Sequence, residues 1–311
     1  MRIAIIGRTE ILYKTAQLLH KNGFEIPLII TSKEAPEYKI TSADFKELAA
    51  QFKAKFIYSP KINLPEIVQQ IKEIPKIDIA VSINYSGVIE QEVIDIFPLG
   101  ILNAHGGDLP KYRGNACQAW AIINGENKIG LCIHRMVGGE LDSGDILEKA
   151  YFPTTIDTRV GEVYHWIEQI TPSLLLEAIN KLSKNPNYIL EVQSKSPKDA
   201  LRCYPRNPTD GKINWNDSRE NILRLINASS EPFSGSFTYI ENKKVVIWRA
   251  QLFTDEENYL AVPGQIASIN TNDGTICVIT GSGKLKISEV EVDGERCAPA
   301  SVIKSIRTRF L

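Results

Sequence analysis

Apolar, β-branched runs alternate with stretches of helical periodicity along the first half of this chain, and that alternation narrows the fold more than any other feature. Arg2 to Gly7 is a short apolar run, Thr9 to Asn22 carries apolar residues at helical spacing, and Ile26 to Thr31 is a second apolar run, which together make a βαβ unit. The pattern then predicts a helix near Ser42 to Phe52, a strand at Lys55 to Tyr58, a helix near Leu64 to Ile74, and strands at Ile77 to Ile83 and Gly100 to Ala104. Repeated βα units imply an α/β fold, a parallel, doubly wound, Rossmann-like sheet with right-handed crossovers. Lys128 to Val137 and Ile146 to Phe152 read as two more strands. Val160 to Leu182 reads as a long helix interrupted near Thr171-Pro172, because proline lacks the N–H that a helix interior needs.

Beyond this point the pattern changes. Lys184 to Lys198 is polar and rich in breakers, which suggests a linker or a surface excursion. After a helix near Ser218 to Ala228, short alternating segments follow at Ser236 to Ile240, Lys244 to Leu252, Gly264 to Ile269, Thr275 to Thr280 and Lys284 to Val292, divided by Gly, Asn and Asp turns. Such spacing suggests a small, OB-like β-barrel of open Greek-key type. The expected organisation is a catalytic domain over 1–183, a linker over 184–204 and a β-barrel domain over 205–311.

Charge and cysteine content exclude several function classes. Lys+Arg 36 against Asp+Glu 37 leaves a formal net charge of -1, so no global attraction to nucleic acid or anionic membrane is expected. The N-terminus is too short in apolar residues for a signal peptide and no later run approaches transmembrane length, so a soluble, cytoplasmic protein is expected, with no membrane partner. The five cysteines are widely spaced and never in Cys-x-x-Cys pairs, and there are four histidines without clustered carboxylates, so no disulfide framework and no metal site is expected. The first strand and turn resemble a nucleotide-binding opening, but Gly-x-Gly-x-x-Gly is missing and a redox dinucleotide site is unsupported.

The chemistry-bearing residues lie at the end of the fifth strand. Asn103-Ala104-His105 places two polar side chains two residues apart, hence on one face. In open α/β sheets the ligand crevice lies beyond the carboxyl ends of the strands, where this pair falls. Gly106-Gly107 keeps bulk away, and Leu109-Pro110-Lys111-Tyr112-Arg113-Gly114 supplies two cations. Taken singly, Asn103 reads as a turn residue, His105 as a hydrogen-bonded strand-end histidine, and Asp142 in Asp-Ser-Gly as an ordinary turn residue. Arg8 is as well explained by a solvated turn as by a phosphate contact. His20, His134 and His165 read as packing or surface histidines.

Taken in order, these residues resemble one family. Asn103-Ala104-His105, Leu109-Pro110-Lys111-Tyr112-Arg113-Gly114 and Leu141-Asp142-Ser143-Gly144 are similar to the signature of the formyltransferases that use N10-formyltetrahydrofolate, among them methionyl-tRNA and sugar-amine formyltransferases. The likeness extends to Asn124-Gly125-Glu126, to Gly130 through Met136, and, in the second half, to Asp210 through Trp215 and Pro232 through Tyr239, so it covers the chain nearly end to end. It implies Asn103, His105 and Asp142 as catalytic residues, a formyl folate held near Tyr85, Gly87, Val88, Ile89, Leu109, Gly139, Leu141 and Asp142, and an acceptor contacted by Arg8, Lys111 and Arg113. The residue types suit the reaction. Asn103 can donate to a tetrahedral oxyanion, His105 titrates near neutrality and can steady that oxyanion or move a proton, and Asp142 can orient His105, favour its imidazolium, or accept a proton through water.

The acceptor follows from charge. Pro205 to Leu311 holds 13 Lys+Arg and 13 Asp+Glu, leaving 23 bases and 24 acids in residues 1–204, so neither half carries the excess of cations that nucleic-acid affinity requires. Where the resemblance implies a longer basic loop in the tRNA enzymes, Ser32-Lys33-Glu34-Ala35-Pro36-Glu37-Tyr38-Lys39 is short and charge-balanced. Gly106-Gly107-Asp108 puts an acid beside the site, which suits a hydroxylated or cationic sugar better than a phosphodiester chain. A nucleotide-linked amino sugar is therefore the expected acceptor, with methionyl-tRNA as the alternative and a non-catalytic binding role ranked last. A homodimer is one assembly the sequence allows.

Overall fold

The computed structural model describes residues 1–36 and 38–311; Glu37, within the 32–39 segment discussed above, lies outside the described residues. The chain forms two compact units: Met1–Gly114 with Gly130–Tyr151 and His165–Arg202, and Asn115–Ile129 with Phe152–Tyr164 and Cys203–Leu311.

The first unit is built on a seven-stranded sheet. Its strands are β1 (Arg2–Gly7), β2 (Glu25–Thr31), β3 (Lys55–Tyr58), β4 (Ile79–Ile83), β5 (Ile101–His105), β7 (Lys128–Arg135) and β8 (Ile146–Pro153), with the two-residue β6 (Arg113–Gly114) outside it; the spatial order is β3-β2-β1-β4-β5-β7-β8. The first five run parallel and β7 is antiparallel to β5. Ile3, Ile5, Ile6, Leu28, Ile29, Ile30, Ile79 and Val81 are fully buried, so residues of both parities along a strand are covered, as a parallel sheet between helices requires. Ala4, Ile6, Leu28 and Ile30 pack with Ile67, Val68 and Ile71 of α3 (Pro65–Lys72) and Val93 and Ile94 of α4 (Gln91–Ile94). The helix α1 (Glu10–Lys21) starts where the Thr9 hydroxyl accepts from Leu12 N–H at 3.4 Å, and it buries Leu12, Ala16 and Leu19 at helical spacing. The remaining helix before the turn of the sheet is α2 (Ser42–Phe52).

Strand order reverses between β1 and β4, which opens a crevice at their carboxyl ends. Arg8 N–H donates to the Ile83 carbonyl there, 3.2 Å away, and Asn103 and His105 end β5 on the next strand over. One expectation needs correction. α6 (Val160–Lys184) runs unbroken past Pro172. The ring removes one ladder bond, but the Thr171 and Ser173 hydroxyls bond the Ile167 and Ile170 carbonyls, and Leu174, Leu175, Ala178 and Ile179 continue the buried stripe that holds the helix together.

In the second unit α5 (Cys117–Ile123) packs on α7 (Arg219–Ala228), whose Ser218 cap accepts from Asn221 N–H at 3.2 Å. After the short β9 (Arg202–Cys203), the strands β10 (Ser236–Ile240), β11 (Lys243–Phe253), β12 (Ile266–Ile269), β13 (Ile276–Ile279), β14 (Lys284–Val292) and β15 (Glu295–Cys297) form an antiparallel sheet in the order β10-β11-β14-β13-β12, with β15 added to β14. One face packs Val245, Ile247, Ile276, Val278, Leu285 and Ile287 with Ile222, Leu223 and Ile226 of α7. Trp215 stacks on Phe310 with ring centroids 5.2 Å apart. The chain ends with α8 (Pro299–Val302) and a short tail. No helix among the described residues is long and apolar enough to cross a membrane.

Candidate active site

Asn103, His105 and Asp142 converge, and His134, expected as a packing or surface histidine, joins them. The antiparallel register puts His134 opposite Asn103 and Cys132 opposite His105. The Asn103 amide nitrogen lies 3.2 Å from His134 Nε2. His134 Nδ1 donates to the Arg135 carbonyl at 2.8 Å, which fixes the ring with Nε2 toward the Asn103 amide and Asp142. The Asp142 carboxylate stands between the two rings, with Oδ2 3.5 Å from His105 Nδ1 and Oδ1 3.5 Å from His134 Nε2, and it accepts a 2.9 Å bond from Gly114 N–H.

Burial works on these groups in opposite directions. His105 is 8% exposed, and loss of hydration pushes its pKa below the ordinary value, against the pull of the Asp142 charge and of the Tyr112 carbonyl; His134 and Arg113 add to the lowering. Its Nε2 donates to that carbonyl at 2.6 Å, which leaves Nδ1 facing Asp142. For Asp142 burial raises the pKa, but the contact with His134, the charges of both histidines and the Gly114 N–H outweigh it and bring the group down to about 2. The site therefore sets a carboxylate held ionised beside an imidazole whose charged form burial disfavours and that carboxylate favours.

The local backbone is bent to make this arrangement. Asn84, Tyr112 and Asp142 all hold φ between 51° and 56°, a region that costs a residue with a Cβ about 1–3 kcal/mol and persists where the surroundings enforce it. Glycine is required at two neighbouring points. A Cβ on Gly107 would lie 2.3 Å from the Tyr112 carbonyl oxygen and 2.7 Å from His105 Nε2, and one on Gly144 would lie 1.9 Å from the Arg135 carbonyl oxygen.

The other predicted residues fall into distinct settings. Val88 is 74% and Leu141 42% exposed, whereas Ile89 and Leu109 are buried. Between the Val88 and Leu141 segments, Gly138 N–H donates to the Oε1 of Gln91, the first residue of α4, at 2.8 Å. Gly139 has open space where a Cβ would stand, while at Gly87 a Cβ would crowd the Pro60 carbonyl. Gly87 and Val88, with Pro60, Lys61, Asn63 and Leu64, line an open cavity of about 300 Å³. Tyr85 donates its hydroxyl to the Ser59 carbonyl at 2.6 Å, and burial pushes its pKa up to about 12. Arg8 is committed to two carbonyls, Asn84 at 3.0 Å and Lys33 at 2.7 Å, and faces the Tyr38 ring. Lys111 is exposed. Arg113 Nη2 donates to Gln193 Oε1 at 2.7 Å, and its Nε is buried without a hydrogen-bond partner among the described residues. Asp108 accepts from the Tyr151 hydroxyl at 3.0 Å and lies 3.8 Å from Lys149 Nζ. The described residues contain no group of three or more side chains able to hold a metal.

Known proteins share both the sequence and the fold. Residues 1–179 match the family described as Formyl transferase, and residues 206–307 match Formyl transferase, C-terminal domain. A methionyl-tRNA formyltransferase from Acetivibrio thermocellus is 31% identical over 299 residues, covering 95% of this chain and 93% of that protein. Among solved structures, a variant of HypX from Aquifex aeolicus superposes with a TM-score of 0.60 at 19% identity over 97% of this chain, which spans only 47% of HypX. WlaRD, a sugar 3N-formyl transferase crystallised in the presence of dTDP and 5-N-formyl-THF, superposes with a TM-score of 0.67 at 20% identity, covering 95% of this chain and 98% of WlaRD.

Proposed function

Because the chain belongs to the formyl transferase family, we propose that it moves a formyl group from N10-formyltetrahydrofolate to the amine of a nucleotide-linked amino sugar. The observation that carries the transfer chemistry is the ionised Asp142 standing between His105 and His134, with the Asn103 amide beside them. Formyl folate supplies the formyl carbon when bound. Its flat ring suits the apolar surface of Val88 and Leu141 next to the open backbone at Gly139, so these residues would hold it. Asn103 turns its amide N–H from His134 to the oxyanion that forms when the amine attacks, a contact type worth about 2.7–4 kcal/mol in acyl transfer. His105, whose charged form burial disfavours, takes the proton that the amine sheds and would return it to N10 of tetrahydrofolate as the oxyanion collapses and the C–N10 bond breaks. Asp142 stays charged and stabilises the imidazolium so formed, which gives the proton-transfer role to His105 and the electrostatic one to Asp142.

Three features support a small acceptor: the balanced charge of 205–311, the short 32–39 segment and the acid at Asp108. Arg113, with a buried Nε still to be partnered, is the cation that would meet a diphosphate; Arg8 is already held by two carbonyls. WlaRD supports a sugar acceptor by its fold. The identity to a methionyl-tRNA formyltransferase supports the second reading, tRNA as acceptor. On the preferred reading residues 1–183 carry the chemistry, 205–311 form a separate domain, and the enzyme is cytoplasmic. A competition assay offering charged initiator tRNA together with dTDP- and UDP-linked 3-amino and 4-amino sugars tests the choice. Formylation of a sugar with the tRNA untouched is expected; efficient formylation of the tRNA with every sugar inert overturns it.

A further inference from the structure

Gln193 lies within the polar, breaker-rich segment 184–204, yet it is 1% exposed. Its neighbours pair with the edge of β8: Ile146 N–H donates to the Glu191 carbonyl and Leu190 N–H to the Ile146 carbonyl, both at 2.9 Å, and Lys149 Nζ reaches the Glu191 carboxylate at 2.7 Å. This pairing brings the Gln193 side chain to the turn that carries Asp142. Its Nε2 donates to the Asp142 carbonyl at 3.0 Å and to the Gly144 carbonyl at 2.6 Å, and its Oε1 accepts from Arg113 Nη2 at 2.7 Å. Only a primary amide offers two donors and an acceptor on one planar group, so a carboxylate could serve Arg113 but not the two carbonyls, and a thioether could serve neither.

We propose that Gln193 is a positioning residue that fastens the Asp142 turn and the Arg113 side chain into one unit, keeping the carboxylate against His105 and the guanidinium toward the acceptor. What Arg113 binds rests on the reading above; what Gln193 does for Asp142 does not. Asp142 holds a left-handed backbone at φ 51°, a conformation that needs external support, and the two carbonyls bonded by Gln193 bracket that turn. The charged and titratable groups facing His105 are Asp142, His134 and Arg113, with the Tyr112 carbonyl on its other nitrogen. If the turn loosens, the Asp142 carboxylate moves away from His105 and the His105 imidazolium loses its support.

The test is the titration of the four histidines in protein labelled with 15N-histidine, with His105 assigned by comparison with His105→Gln. In Gln193→Met the His105 midpoint should fall by about half a unit or more as the Asp142 charge is withdrawn. Transfer from N10-formyltetrahydrofolate to a dTDP-linked amino sugar should fall about tenfold or more in kcat, the size expected when a charged group is mispositioned. Gln193→Glu retains the acceptor for Arg113, so the KM for the sugar nucleotide should stay near that of the wild type while kcat falls. Should the Met variant fail to fold, the Glu variant decides on the same signals. A folded variant with an unmoved His105 midpoint and an unchanged kcat overturns the proposal, as does a loss of rate matched by loss of folded protein with the midpoint fixed. If the wild type formylates no sugar, the functional reading fails, and the histidine titration still judges Gln193.

Discussion

In the first sheet the carboxylate of Asp142 stands 3.5 Å from each of two histidines, whereas in the second the buried ammonium of Lys284 is met by Asp255 at 2.7 Å and by Glu257 as well. The indole N–H of Trp215 donates to the Thr238 hydroxyl at 2.9 Å, and that hydroxyl donates on to the Leu311 carbonyl at 2.9 Å. These polar groups of the second unit thus close on one another. The catalytic cluster of the first leaves an amide and a ring nitrogen close to partners but with bonding capacity to spare, beside an Asp142 backbone held in the left-handed region. Groups left unsaturated at a cost in stability are available to a reacting molecule, and groups fully satisfied serve the fold.

That contrast can be broken by substitution. Asn103→Asp replaces a donor with an anion where negative charge develops, and Asp142→Asn removes the charge that supports the imidazolium; each should lower transfer by about a hundredfold or more in a protein that still melts cooperatively. Rates near wild type would place the chemistry elsewhere. In the second sheet the effects should be exchanged: Ile247→Ala, at a fully buried position, should cost about 2–5 kcal/mol of stability while leaving kcat per folded molecule unchanged. Denaturant titration beside active-site-normalised rates separates the two.

Acid sharpens the comparison further. The folded pKa of His105 is lowered, so the unfolded chain takes up this proton first; the associated stability is complete above about pH 6.5 and declines as pH falls below it. Asp142, lowered to about 2, contributes stability that is present above the ordinary carboxylate value and lost as pH falls toward 2. Melting temperature against pH should therefore decline in two stages, and His105→Gln should abolish the upper one. A smaller effect is expected from the donor. 5-Formyltetrahydrofolate at a hundred times its Kd should stabilise the protein by about 2.7 kcal/mol, and NAD should not. Stabilisation by NAD alone would contradict the family's chemistry.

The parallel sheet is legible because strands buried on both faces are written as unbroken apolar runs, and the antiparallel sheet because short segments divided by turns include the alternating run of β14. Asn103 and His105 could be placed because a strand's period is local. His134 could not, because its approach to Asn103 depends on the register of β5 against β7, a pairing across 31 residues that neither strand specifies alone. Its neighbours Ile133 and Cys132 are buried like it, so its own strand offered no contrast. Gln193 gave still less signal, being a polar residue in a polar segment whose burial comes from pairing with β8. The continuity of α6 departs from its sequence for the opposite reason: a strong local signal, Pro172, is overruled by packing on the buried stripe that follows it.

The most direct test of the account is a single-turnover measurement of formyl transfer from N10-formyltetrahydrofolate to a nucleotide-linked amino sugar by wild type and His105→Gln at pH 7.5. A neutral imidazole acting as the proton acceptor predicts a loss of about a hundredfold or more with donor binding retained. A His105→Gln enzyme within a few-fold of wild type would contradict it.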